Sequence, residues 1–127
     1  MSSRQATFRI EAIHPSLNEW SRQNPFKVAE IKKQYALITG FAVGQAKIRG
    51  TWDGRTFERA RLTVRYHFPN NNRRDADNYA SKFFNDSLVA LGVLRDDDFD
   101  HLELHIERGE NAKPGWTELI VEEVGES

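Results

Sequence analysis

Alternation of apolar and polar residues marks four segments of this chain as strands. Residues 7–13 (TFRIEAI) set Phe8, Ile10 and Ala12 to one side and Arg9 and Glu11 to the other, the two-residue period of a half-buried strand. The cleanest alternation is over 60–68, where Ala60, Leu62, Val64, Tyr66 and Phe68 oppose Arg61, Thr63, Arg65 and His67. Residues 101–108 turn Leu102, Leu104 and Ile106 inward, and 116–123 forms the last strand before a short acidic tail. His14-Pro15 ends the first strand, because proline forces its predecessor into an extended conformation. Pro69-Asn70-Asn71-Asn72 ends the second, Asp53-Gly54 marks a loop or hairpin tip within 50–59, and 109–115 is a polar connection.

A period of three to four residues replaces the alternation in two places. Asn24-Pro25 reads as an N-cap followed by proline at the first helical position. From about Pro25 into the forties, Val28, Ile31, Tyr35, Ile38 and Ala42 form one apolar stripe, with Lys27, Glu30, Lys32 and Lys33 outside it. Gly40 and Gly44 weaken its last turns. The spacing predicts a second helix over about 77–91, with Tyr79, Phe83, Phe84, Leu88 and Leu91 as its core stripe and Gly92 as its stop. Asn78, Lys82, Asn85 and Asp86 make the opposing polar stripe. The order β-α-β-α-β-β makes an α+β fold, an α/β two-layer sandwich with a mixed four-stranded sheet and two main helices packed on one face. The last two strands pair most simply as a hairpin. No internal repeat or low-complexity segment divides the chain, so 1–127 reads as a single domain.

Composition narrows the class. With 39% hydrophobic and 11% aromatic residues in 127, the chain can bury a real core. The absence of cysteine excludes thiolate metal sites and a cysteine nucleophile, and suits a reducing cytoplasm. The first residues, MSSRQATFRIEA, lack the apolar run of a signal peptide, and no stretch approaches the length of a membrane span. The expectation is a cytoplasmic protein with no membrane partner. The net charge of −1 hides an asymmetry: 14 Lys+Arg against 5 Asp+Glu in 1–74, but 4 against 14 in 75–127. The basic half, with Arg73, Arg74, Lys27, Lys32 and Lys33, offers contacts to a polyanion such as nucleic acid. The alternative is two halves that neutralise each other across their contact.

Candidate chemistry concentrates in 73–100, RRDADNYASKFFNDSLVALGVLRDDDFD. Seven of the chain's eight aspartates lie there, while the glutamates are scattered. Short carboxylates gathered in one stretch suit Mg²⁺, which demands oxygen ligands in tight geometry. Asp75 and Asp77 occupy alternate positions and can face one point; Asp96, Asp97 and Asp98 precede the third strand. If that strand lies beside strand 60–68, the two acidic turns meet at the sheet edge. Three carboxylates around one or two Mg²⁺ ions would then hold a phosphodiester and activate water for in-line attack. Lys82 and the Arg73-Arg74 pair would offset the charge that builds on phosphorus. Each piece has a structural alternative: N-capping for Asp-Ala-Asp-Asn, a solvated turn for Asp96–Asp98, an exposed ion pair for Lys82 and Asp86.

A calcium loop starting at Asp75 fails, because its fifth position is Tyr79, the obligatory glycine is Ala80 and the final glutamate is Asp86. His101 and His105 lie on the polar side of a predicted strand, where a surface role outweighs zinc ligation. Trp20, Trp52 and Trp116 suit core or rim packing better than base stacking.

At R-R-D-A-D-N, at the helix with Lys82 and Asp86, and at G-V-L-R-D-D-D, the chain resembles the RusA-type endonucleases that resolve Holliday junctions. P-S-L-N-E-W and the lysine-rich helix after it are similar to the family's early segments, and the likeness runs from about Ile10 to Glu107. The resemblance implies a homodimeric, Mg²⁺-dependent nuclease (with Mn²⁺ as a possible substitute) of α/β sandwich type, common in phages and prophages, that nicks opposed strands of a four-way junction. It matches Asp75 and Asp77 to the first two metal-binding aspartates, Asp97 with Asp96 beside it to the third, and Lys82 to a lysine at the scissile phosphate. Lys82 stands one residue further from Asp77 than in the shortest form of the family, Asp98 leaves the register of the third ligand open, and His14 replaces a frequent second proline. Two rivals stand beside this reading: a branched-DNA-binding module without catalysis, and a metal-dependent small-molecule phosphohydrolase, which needs a closed pocket.

Overall fold

The structure is a computed structural model that describes residues 4–125. Strand β1 spans Gln5–Ile10 and β2 spans Ala60–His67; β3 spans Leu102–Arg108 and β4 spans Trp116–Glu123. Helix α1 spans Leu17–Trp20, α2 Pro25–Arg49 and α3 Lys82–Ala90, with a 3-10 turn over Ala76–Tyr79. The four strands form one sheet in the order β1-β4-β2-β3. The pairs β1/β4 and β4/β2 are antiparallel and β2/β3 is parallel, so the sheet is mixed and the fold α+β as expected.

The expected hairpin of the last two strands does not form, since β2 lies between β3 and β4. The chain leaves β2, descends through α3 and returns as β3, which therefore runs parallel to β2. Residues 109–115 then cross over the end of β2 to deliver β4 to its other side. The Gly109 N–H donates to the Tyr66 carbonyl at 2.9 Å and the Ala112 N–H to that of Phe68 at 3.0 Å. The crossing is tight: a Cβ at Gly109 would sit 2.4 Å from the His67 ring, so no other residue fits without a shift.

The apolar side of β2 supplies the centre of the core. Leu62 and Val64 are fully buried, and Leu119 and Val121 continue the layer on β4. Phe8 and Ile10 extend it on β1, and Phe83, Phe84 and Leu88 of α3 cover it together with Ile31, Tyr35, Ala42 and Val43 of α2. The other side of the sheet is uncovered and charged. Arg61 pairs with Glu103 at 3.0 Å, and Arg65 with Glu107 and with Glu118, the latter at 3.0 Å. A basic central strand between two acidic neighbours thus absorbs part of the charge asymmetry internally.

Several elements differ from expectation: β1 spans Gln5–Ile10 rather than 7–13, and Leu104 and Leu91, read as inward, are 40% and 39% exposed. Helix α2 runs through Gly40 and Gly44 to Arg49, because the far side of those turns is packed; Gly50, at φ 78°, stops it. Its start is as predicted, with the Asn24 side chain accepting from the Lys27 N–H at 2.9 Å. Helix α1 is an addition, and its signal is present in S-L-N-E: Ser16 and Glu19 form a capping box. The helix expected over 77–91 is broken at Ala80, whose ψ of 131° is extended. The Tyr66 hydroxyl, 2.8 Å from the Tyr79 carbonyl, supplies a partner that a continuous helix would have provided from within.

Thr39 is fully buried on α2, and its Oγ1 has no hydrogen-bond partner among the described residues. Replacing the hydroxyl with an isosteric methyl removes an unmet desolvation cost. Thr39→Val is expected to raise stability by about 1 kcal/mol, read as a higher urea midpoint at unchanged slope.

Candidate functional site

Asp75 and Asp77 sit on the 3-10 turn beyond the C-terminal end of β2, and both are exposed. The capping explanation fails for Asp75, which occupies the N-cap position without a side-chain cap hydrogen bond. Its described contact is to Arg73, 3.4 Å away and 92% exposed. Asp77 makes no side-chain hydrogen bond or ion pair among the described residues. The fold therefore spends neither carboxylate on holding the turn.

What holds the turn lies beneath it. Tyr79 packs against Tyr66 and Phe68 at centroid distances of 5.5 and 5.1 Å. Asn78 accepts the Asn18 N–H at 2.9 Å, which joins P-S-L-N of the early segment to D-A-D-N of the acidic one. Arg74, expected to reach a polyanion, instead turns inward: it lies over the Phe68 ring at 4.2 Å and donates to Asn70 and Asn72. Arg108, which sequence reasoning did not single out, binds the same loop through the Asn70 carbonyl at 2.6 Å and that of Asn72 at 3.2 Å. No spacing signal links residues 36 or more apart, so only the sheet register joins them. Arg73 is 92% exposed, and its described partner is Asp75. Lys82 begins α3 and stands 3.8 Å from Asp86, the exposed ion pair that i,i+4 spacing allows. Lys27, Lys32 and Lys33 are exposed on the first half of α2.

The second acidic turn is elsewhere. In the parallel register Ala60 stands opposite Leu102 and Tyr66 opposite Arg108. Asp96–Asp98 precede the beginning of β3, whereas Asp75 and Asp77 follow the end of β2. Six residue steps at ~3.3 Å each put the two turns roughly 20 Å apart at opposite ends of the sheet. The expectation that they meet at one sheet edge is thus corrected. The strands are adjacent, but an adjacent parallel strand starts where its partner starts.

Asp96 and Asp98 also carry structural work. The Asp96 carboxylate accepts the Asp97 N–H at 2.7 Å, and Asp98 accepts the N–H groups of Asp100 and His101, both at 3.1 Å. The His101 Nδ1 lies 2.5 Å from Asp98, which raises the imidazole above its ordinary value and lowers the carboxyl. Asp96, Asp98 and His101 present ligand atoms within 4.8 Å of one another, the one such triad among the described residues. Its imidazole, already held by a carboxylate, suits Mg²⁺ poorly. Asp97 has no side-chain contact among the described residues. Beside the first turn, a cavity of about 110 Å³ lies between Phe68, Asp75, Tyr79 and Arg108. That is well below the roughly 300 Å³ at which small-molecule pockets begin.

The His101–Asp98 contact predicts a titration. Below the ordinary histidine pKa the charged pair is intact, and it is lost as pH rises through the elevated value of the folded ring. In Asp98→Asn, NMR titration of the His101 ring should return its midpoint toward 6.5 from above. An unchanged midpoint would remove Asp98 as the cause.

Neither a scan against protein-family models nor a search of curated proteins finds a match to this chain.

Proposed function

We propose that this chain is a metal-dependent endonuclease for branched DNA, acting as a symmetric dimer, with Asp75 and Asp77 as the ion-binding pair. One observation carries the reading: two exposed carboxylates at alternate positions stand on a turn braced from below, and neither side chain caps or braces that turn. Mg²⁺ is commonly bound by one or two carboxylates and completes its shell with waters and substrate phosphate, so the pair fits it. When bound, the ion would neutralise the phosphodiester and lower the pKa of an attacking water. Arg73 beside the turn would meet the anionic backbone, and Lys82 would leave Asp86 for a phosphate oxygen. Lys27, Lys32 and Lys33 would carry the flanking duplex, giving a salt-dependent contribution to affinity.

Within one chain the Asp96–Asp98 turn is too far away to share that ion. In a dimer the partner's turn would supply the further ligand, and Asp97, whose side chain makes no contact among the described residues, is the carboxylate available. Helix α2 supports self-association: Leu37, Phe41 and Ile48, 70%, 69% and 81% exposed, line its outward side, opposite the residues it buries in the core. Large exposed apolar patches of this kind mark interaction surfaces. The separation of the two turns equally favours a second reading, a junction-binding module without catalysis, if the chain works alone.

Asp77→Asn and Asp97→Asn should each abolish Mg²⁺-dependent cleavage of a synthetic four-way junction while retaining binding. Mixing the two variants under subunit exchange then discriminates. If each ion site draws on both chains, a mixed dimer holds one intact site, and roughly a quarter of wild-type nicking returns. No recovery means that each site is built within one chain. Wild-type-like cleavage by Asp77→Asn, or binding without cleavage by the unmutated protein, would sink the nuclease assignment. Phe41→Asp should convert a dimer to a monomer in light scattering, since burying a lone charge in an apolar contact is costly.

A further inference from the structure

His14 is a buried histidine that the proposed chemistry does not use. It is 2% exposed and enclosed by the rings of Tyr35, Tyr66, Tyr79, Phe83 and Phe84, at centroid distances between 5.3 and 6.5 Å. Its Nδ1 stands 2.7 Å from the Pro15 carbonyl oxygen and its Nε2 stands 2.5 Å from the Tyr66 hydroxyl. The same hydroxyl is 2.8 Å from the carbonyl of Tyr79, the last residue of the acidic 3-10 turn. A row of three contacts thus runs from one carbonyl to another.

Proton counting constrains this row. Carbonyl oxygens only accept, so three contacts need three protons, and a neutral imidazole with a phenol has two. If Nδ1 carries the proton, Tyr66 must donate to Nε2, and the Tyr79 carbonyl loses its donor. If Nε2 carries it, the Nδ1 lone pair faces the Pro15 oxygen at 2.7 Å. Only the imidazolium fills all three contacts. Pro15 is the covalent neighbour of His14 and cannot move away, so the neutral ring releases the Tyr79 end.

We propose that His14 is a positioning residue whose proton decides whether the turn bearing Asp75 and Asp77 is tied to β2. The consequence for ion binding rests on the nuclease reading above; the tie itself does not. Around the ring, Glu19 of α1 supplies the carboxylate, Tyr35, Tyr66 and Tyr79 are the titratable neighbours on α2, β2 and the turn, and α3 presents Phe83 and Phe84. Burial holds the imidazole below its ordinary value, against the opposing pull of the Pro15 carbonyl and of Glu19. Protonation of His14 has two opposite consequences. A depressed histidine contributes stability that is present above pH 6.5 and is lost as pH falls toward the folded value. The local tie, by contrast, forms as pH falls. A purely structural histidine would loosen the turn along with the rest of the fold.

The test is an NMR titration of the full chain from pH 8 to the onset of acid unfolding. Long-range ¹⁵N couplings should report an Nδ1–H ring at pH 8 that gains a proton below pH 6.5, while urea stability declines. Amide signals of Ala76–Ala80 should shift with the same midpoint, and their exchange broadening should diminish as the ring charges. Tyr66→Phe keeps the ring and removes the link: the turn amides should lose their response, and the His14 midpoint should drop by about one pH unit. A ring that stays neutral until unfolding, or turn amides that ignore its titration, overturns the proposal. So does a Tyr66→Phe variant in which those amides still follow the ring. Mn²⁺ affinity measured by water relaxation should rise toward low pH about the same midpoint before the aspartates protonate. Responding amides with no Mn²⁺ at Asp75 and Asp77 would overturn the ion-binding reading and leave the tie standing.

Discussion

The parallel pairing of β2 with β3 governs the rest of this molecule. Two neighbouring parallel strands require the chain between them to travel the length of the sheet, and α3 makes that journey here. The crossover places the apolar side of α3 on the core and sends the two acidic turns to opposite ends. It also leaves the C-terminal segment to find its place beyond β2, where Gly109 allows the chain to pass over His67. Fold and site geometry therefore follow from a single topological fact.

The same arrangement explains how a nearly neutral protein can divide its charge so unevenly along the sequence. Basic β2 lies between acidic β3 and β4, and Arg61 and Arg65 are satisfied by Glu103, Glu107 and Glu118 on the uncovered side of the sheet. These partly exposed pairs add little stability individually. They do favour this strand order, because exchanging a neighbour for a basic strand would set like charges opposite each other. Of the basic residues first considered for a polyanion, Arg74 is drawn into loop structure, while Arg73 and Lys27 stay exposed in pairs with Asp75 and Glu30, and Lys32 and Lys33 are exposed.

The acidic turn itself is an example of division of labour. Asn78, Tyr79, Arg74 and Arg108 fix its backbone from below and from the side, through contacts to Asn18, Tyr66, Phe68 and the Asn70–Asn72 loop. Asp75 and Asp77 stay exposed and take no part in that support. Sites that bind ions depend on such rigid backing, because ligand geometry is no better than the element that carries it. His14 stands at the bottom of the backing, where one proton changes the number of bonds available.

Local periodicity by itself determined much of this protein. The alternation of Ala60, Leu62, Val64 and Tyr66 fixed β2 and its buried side, Asn24-Pro25 fixed the start of α2, and the three-to-four spacing of Phe83, Phe84 and Leu88 fixed the core side of α3. These are properties of neighbouring residues, and burial rewards them wherever the segment lands. The concentration of aspartates likewise located both acidic turns. Strand order, the break at Ala80, the inward turn of Arg74 and the distance between the acidic turns were decided only in three dimensions. Each depends on a partner far along the chain, and the sequence pattern carries no term for which neighbour a strand will choose or in which direction it will run.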